Sequence, residues 1–192
     1  MKTYNIKEKI RQYFFMNPTA KLRVRQIERE LKLPLPSVIR YCKELEKEGI
    51  LKKTAVSGIT VYSADRSLKR YLIEKKLFNF KLLFESGLVD YLVEEFHNPT
   101  IVVFGSYARG EDVESSDVDI YIETPSNKRI NLEKYEKILN KNIQIFVHKN
   151  INEIKNKELA NNILNGNVLN GYIEVFTWKK ATGMTALNAI PP

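Results

Sequence analysis

Apolar Ile6, Ile10, Tyr13 and Phe14 recur at i, i+4, i+7 and i+8, which puts them on one face of a helix from Asn5 to Met16. Asn17-Pro18 stops that helix. Val24, Ile27 and Leu31 stripe a second, short helix. Leu33-Pro34-Leu35-Pro36 forces a turn, and Pro36 suits the first position of a third helix. That helix turns Val38, Tyr41, Cys42 and Leu45 inward and has Gly49 as its C-terminal cap. Two β-prone runs, Ile50 to Thr54 and Ile59 to Ser63, follow with Ser57-Gly58 between them.

Three helices and then a hairpin is the element order of a winged helix-turn-helix over 1–64. Linking helices are expected over 65–99. Ser67 to Phe84 is rich in Leu, Phe and Lys, and Leu88 to Phe96 is a second helix ended by Asn98-Pro99. Phe78, Phe80 and Phe84 form an aromatic stripe that reads as interdomain core or as a dimer interface. His97, at a helix end, reads as a residue that satisfies terminal carbonyls.

Ile101 to Phe104 is a continuous apolar run, the pattern of a buried strand. Val118, Ile120 and Ile122 alternate with Asp117, Asp119, Tyr121 and Glu123, and Ile143, Ile145 and Val147 with Gln144 and His148. Lys155 to Leu164 reads as a helix. Asn170-Gly171 is a hairpin signal between Val168-Leu169 and Tyr172 to Thr177. The predicted class is α+β, with a small mixed-sheet domain over 100–177 and a patternless tail over 178–192.

Charge changes this picture. Residues 1–70 hold 17 Lys and Arg against 7 Asp and Glu, so this third carries +10 while the rest carries −2 of the net +8. Such asymmetry suggests that the first module faces a polyanion, duplex DNA being the expected partner. Arg25, Ser37, Arg40, Lys43, Lys52 and Lys53 are the candidate contacts, with Arg23 and Lys47 nearby. Glu44, Glu46 and Glu48 on the third helix oppose this, and winged helices also dock proteins. The single cysteine, Cys42, excludes an intrachain disulfide and reads as a core residue. No apolar run approaches the roughly 18 residues that span a bilayer, so no membrane association and a cytoplasmic location are expected.

The chemistry concentrates between Gly105 and Asp119. Carboxylates at i and i+2 on a strand, Asp117 and Asp119, converge on one point and suit Mg²⁺ or Mn²⁺ with phosphates and waters completing the shell. The Gly105-Ser106 turn exposes backbone N–H groups and a hydroxyl, and the missing Cβ lets a phosphate approach. Arg109 is placed to neutralise departing phosphates. These parts fit phosphoryl or nucleotidyl transfer from an NTP.

Gly105-Ser106, ten residues, then Asp117-Val118-Asp119, with Ala108-Arg109-Gly110 and Ser116 inside, resembles the signature of the DNA polymerase β nucleotidyltransferase superfamily. The likeness is greatest to its minimal nucleotidyltransferase branch and covers about residues 88 to 177. It implies a short mixed sheet with helices on one side, with nucleotide held by Gly105, Ser106, Arg109 and Ser116. It also implies Mg²⁺-dependent transfer of a nucleoside monophosphate, with ATP the expected donor and Asp117 and Asp119 as metal-holding catalytic residues. The family places a third carboxylate on the next strand, where this chain has Gln144. Glu123 and His148 share the phase of the site residues and are the candidate replacements.

Three functions follow. One is an enzyme whose acceptor is a protein, an RNA end or a small molecule; minimal nucleotidyltransferases are often antitoxins acting on a HEPN-type toxin. This chain has no Arg-x4-His of that type, so such a toxin would be a separate polypeptide. The second is a DNA-binding regulator that senses a nucleotide through a degenerate site. The third is a small-molecule modifier, to which a basic winged helix would be an odd attachment. A homodimer is compatible with each.

Overall fold

The structure is a computed structural model that describes residues 5–175. Three helices, α1 (Ile6–Met16), α2 (Val24–Leu31) and α3 (Leu35–Lys47), precede an antiparallel hairpin of β1 (Leu51–Val56) and β2 (Ile59–Ala64). The Asn5 side chain accepts from the Glu8 N–H and caps α1. Between α2 and α3 stand only Lys32, left-handed at φ +52°, and Leu33-Pro34. Pro36 takes the second position of α3 rather than the first. Leu22 exchanges both backbone hydrogen bonds with Tyr62, at 2.9 and 2.8 Å, and so adds a third strand position beside β2.

Ile10, Phe14, Ile27, Val38, Cys42 and Leu45 are fully buried in the first core. Each such side chain contributes about 1.5–3 kcal/mol of burial. Cys42 lies among them as expected, and burial pushes its thiol up to about 12, so it holds no reactive thiolate.

Helix α4 (Lys69–Glu85) belongs to both cores: Tyr71 lies in the first and Leu83 in the second. Of the aromatic stripe, Phe78 packs on Phe15 with ring centroids 5.4 Å apart and Phe80 lies against the second core. Phe84 is half exposed, which does not fit the interdomain alternative of the two expected for the stripe. α4 buries its Tyr71, Lys75, Asn79 and Leu83 face instead. Helix α5 (Leu88–Glu95) ends on His97 and Asn98, both left-handed.

The second core surrounds a four-stranded sheet ordered β5-β4-β3-β6. β3 (Thr100–Phe104) pairs antiparallel with β4 (Val118–Glu123) and with β6 (Asn167–Asn170), while β5 (Ile143–His148) runs parallel to β4. Short helices α6 (Gly105–Arg109), α7 (Glu133–Leu139) and α8 (Lys157–Leu164) lie between the strands.

Two expectations fail here. Helices do not lie on one side alone. Val118, Ile120 and Ile122 pack toward α5 and α7, but Tyr121, Val102 and Phe104 on the other face form a further cluster with Ile163 of α8. Tyr121 is an amphipathic ring, and a polar reading of its face missed it. The hairpin around Asn170-Gly171 is also absent, because Asn167–Asn170 satisfies the open edge of β3 and residues 172–175 form no strand. The Asn170 amide donates to Asn98 Oδ1 (2.9 Å) and Thr100 Oγ1 donates to the Tyr172 carbonyl (2.8 Å), which turns the chain away. The end of the expected second strand and the 178–192 tail lie outside the described residues.

Candidate functional site

Antiparallel pairing sets Phe104 opposite Asp119, so Gly105-Ser106 begins α6 directly over that carboxylate. Gly105 has φ +73°, and a Cβ there would lie 2.3 Å from Asp119 Oδ2. Only glycine fits, for both reasons. Gly110, also at φ +73°, ends α6 where a Cβ would meet the Leu72 carbonyl of α4 at 2.4 Å. The glycines flanking Ser106 to Arg109 thus serve two close approaches, one to the carboxylate and one to the helix behind.

Asp117 is exposed just before β4, and the Asn142 amide donates to its Oδ1 at 3.3 Å. Asp119 is partly buried one position into the strand. Burial first, and the neighbouring Asp117 charge second, hold the Asp119 carboxyl above the usual carboxylate range. A paired carboxylate strained in this way favours a cation between its members. Among the described residues no cluster of three or more His, Cys, Asp or Glu side chains is placed to hold a metal. Two carboxylates nevertheless suffice for Mg²⁺ when phosphates and waters supply the remaining ligands. Asp117, Asp119 and the close approach of the Gly105 backbone to Asp119 fit such an ion.

The other expected residues are less directly engaged. Arg109 is exposed and its Nε donates to Glu111 at 2.6 Å as a surface ion pair. Ser116 Oγ accepts from the Val113 N–H at 2.9 Å and closes the loop before Asp117. A polar cleft lined by Ser115, Ser116, Lys137, Asn140 and Asn142 opens beside Asp117. Gln144 is the register partner of Asp119 on the parallel strand β5. Ile143, Ile145 and Val147 pack into the other core, so Gln144 shares the Asp119 face. Glu123 and His148 are partners four positions further along, roughly 13 Å away at strand spacing. Tyr121 donates to Glu123 at 2.8 Å. Neither Glu123 nor His148 replaces a carboxylate at position 144.

No local sequence pattern announces the network that fixes this loop. Lys75, 1% exposed, donates to Asp112, which is fully buried, with its Nζ 2.9 and 3.0 Å from the two carboxylate oxygens. The Asn79 amide donates to Asp112 Oδ1 at 2.8 Å and to the Tyr107 carbonyl at 2.9 Å. Lys141 reaches Asp112 Oδ2 at 3.2 Å and also donates to the Val113 and Ser116 carbonyls. Lys75 further donates to the Phe15 carbonyl at the end of α1 at 2.8 Å. Thr19 adds two bonds to Glu114 at 3.0 Å. The segment leading into Asp117 is therefore held by α4, by Lys141 two residues before β5, and through Lys75 by α1.

In the N-terminal unit Arg25, Arg40, Lys43, Lys52 and Lys53 are exposed and Ser37 is half-buried. Arg40 stacks on Tyr41 at 4.3 Å and lies 3.8 Å from Glu44. Lys52 lies 3.9 Å from Asp65. Lys7 of α1 pairs with Glu44 and Glu48, which offsets two of the three acids opposing a polyanion. No helix among the described residues is long and apolar enough to cross a membrane.

A glycine-serine turn set over strand carboxylates on a mixed sheet defines the class of nucleotide-transferring folds. The family described as "Nucleotidyltransferase domain" matches residues 86–169. Two Methanocaldococcus jannaschii proteins, each named "Putative protein adenylyltransferase", are similar to this chain. One is 43% identical over 65 residues, covering 31% of this chain and 76% of the relative. The other is 36% identical over 67 residues, covering 31% and 67%. No solved structure matches. The chain belongs to the nucleotidyltransferase family, within the polymerase-β-like superfamily, whose members transfer a nucleoside monophosphate from an NTP with a divalent cation.

Proposed function

We propose that this protein transfers AMP from ATP, with Mg²⁺, to a hydroxyl of a separate protein, and that its N-terminal unit is a winged helix-turn-helix that binds duplex DNA. The observation that carries the first half is the seating of Gly105-Ser106 against Asp119 with Asp117 two residues away. The relatives' names favour a protein acceptor, and the resemblance favours a HEPN-type toxin as that acceptor. The DNA-binding half rests on the +10 balance and on the exposed cations of α3 and the hairpin.

In the proposed reaction the acceptor oxygen bonds to the α-phosphorus, the bond from that phosphorus to the β-bridging oxygen breaks, and pyrophosphate leaves. Asp117 and Asp119 would hold Mg²⁺, which supplies charge stabilisation to the phosphates. The Gly105-Ser106 backbone N–H groups and the Ser106 hydroxyl orient the phosphates. The Lys75–Asp112–Lys141 network holds the loop that carries Asp117. Gln144 cannot take the acceptor's proton, which leaves to water or to a group on the acceptor.

The test is incubation with α-labelled ATP, Mg²⁺ and the product of the adjacent gene, followed by intact mass. Adenylylation lost in Asp117→Asn/Asp119→Asn supports the reading, and equal labelling by wild type and double variant rejects it. Gln144 favours a second reading, a regulator that binds ATP without turnover. Under it, calorimetry gives Mg²⁺-dependent ATP binding with no transfer to any acceptor.

A further inference from the structure

We propose that the outward face of α4 is a homodimer contact, in which two copies of this chain pair their α4 helices antiparallel about a two-fold axis. The seam is apolar and largely open to solvent, with only Phe80 also packing on the second core. Ile73, Leu77 and Phe84 are 46, 60 and 50% exposed, and partly buried Phe80 completes a 4-3-4 spacing. That spacing is the seam of a two-helix coiled coil. The stripe runs most of the length of a 17-residue helix, about 25 Å. Apolar stripes of this kind mark interaction sites.

The charges beside the seam select the occupant. At 100° per residue, Arg70, Glu74, Lys81 and Glu85 all fall on one flank of the stripe. In an antiparallel pair each flank meets its own symmetry mate. With Ile73 against Phe84 of the second copy and Leu77 against Phe80, Glu74 comes opposite Lys81, and Arg70 opposite Glu85. The order plus, minus, plus, minus is complementary to itself when reversed, so one dimer gains four cross-helix ion pairs. A foreign partner would not need that self-complementarity. Within one chain Arg70 and Glu74 lie 2.7 Å apart and Lys81 and Glu85 3.7 Å apart, both as exposed i,i+4 pairs. Either pair can therefore be inverted without loss of its internal bridge.

The experiment is sedimentation equilibrium of the full chain over a concentration series. Wild type should dimerise, and Leu77→Glu should be monomeric with an unchanged circular dichroism melt. Arg70→Glu/Glu74→Lys inverts one half of the flank and sets like charges opposite at all four contacts. Lys81→Glu/Glu85→Lys does the same from the other half and leaves the Arg11–Glu74 pair (3.5 Å) intact. Each variant alone should weaken dimerisation by roughly 10- to 100-fold. Mixed together they should form a heterodimer near wild-type strength, because every contact is again of opposite sign. A wild type that stays monomeric throughout overturns the proposal. So does a dimer that Leu77→Glu and both inversions leave unchanged, or a mixture that fails to recover.

Discussion

Replacing Asp112 with alanine tests how the two cores are joined. Asp112 is fully buried, and both its oxygens are taken by Lys75, Asn79 and Lys141. Its removal strands Lys75, whose side chain is 1% exposed and keeps only the Phe15 carbonyl. Lys141 is less affected, since it is 8% exposed and retains the Val113 and Ser116 carbonyls. Breaking a buried pair from one side costs about 3–5 kcal/mol. Against a total stability of about 5–15 kcal/mol that loss is large. At about 2–4 °C per kcal/mol for a chain of this size, the melting temperature should fall by about 10 °C.

The loss should also depend on pH. Burial first, opposed by the Asp112 charge, holds the Lys75 ammonium below its ordinary lysine value. Between the lowered value and the ordinary one the unfolded chain binds more protons than the folded one, so stability rises with pH there. Without Asp112 only the weaker Glu114 charge opposes the desolvation, and the deficit of Asp112→Ala should shrink as pH is raised from neutral toward 10. Lys75→Met/Asp112→Ala should recover part of the loss, because the stranded charge is gone. Paired thermal and urea melts across pH measure all three. A loss under about 1 kcal/mol, or a deficit that grows with pH, would refute the buried-pair reasoning.

Other expectations follow from the site. Gly105→Ala should fold with a loss of about 1–2 kcal/mol from its positive φ, yet lose far more ATP affinity in calorimetry, because its Cβ displaces Asp119; unchanged affinity would contradict the cradle. Asp119→Asn should abolish Mg²⁺-dependent ATP binding while raising the melting temperature by up to about 2–4 °C. Wild type, whose Asp119 carboxyl is raised, should gain stability as pH falls toward that value, and Asp119→Asn should lack that gain. DNA affinity of the full chain should fall by roughly 10³ between 50 and 200 mM salt, if about six phosphates are contacted. A flat titration would reassign the N-terminal unit to protein docking.

Strands β4 and β5 are legible because alternation over six residues carries one face each, and the run Ile143 to His148 coincides with β5. Helix α4 shows why other parts were not. Its buried face is Tyr71, Lys75, Asn79 and Leu83, two of them polar, while Ile73, Leu77 and Phe84 stand outside. Helical periodicity locates an apolar stripe but not what the stripe faces. A lysine enters a core only beside a partner such as Asp112, 37 positions away in sequence, and nothing local announces that pairing. Arg109 shows a different limit: proximity to the turn suggests a phosphate role, and the ion pair with Glu111 two residues on does not follow from it.

Gln144 decides how the site is used. Its register with Asp119 puts it on the adjacent strand about 4.8 Å away, at the position where a third carboxylate would complete the constellation. The candidates for its replacement sit roughly 13 Å along the strands, beyond any side chain's reach to the same point. Glu123 is moreover held by Tyr121, and the His148 ring stacks on Tyr121 at 6.2 Å. The missing function is therefore proton acceptance, which contributes typically about 10² to 10⁴-fold. On the proposed reading, phosphate binding at Gly105 and Ser106, with the cation held by the two aspartates, does not depend on it. Gln144→Asp should accordingly raise the adenylylation rate within that range and leave ATP affinity within a few-fold. A rate that Gln144→Asp leaves unchanged, beside robust wild-type labelling, would mean that the acceptor brings its own base. No transfer by either variant, with tight ATP binding in both, would make the site a sensor.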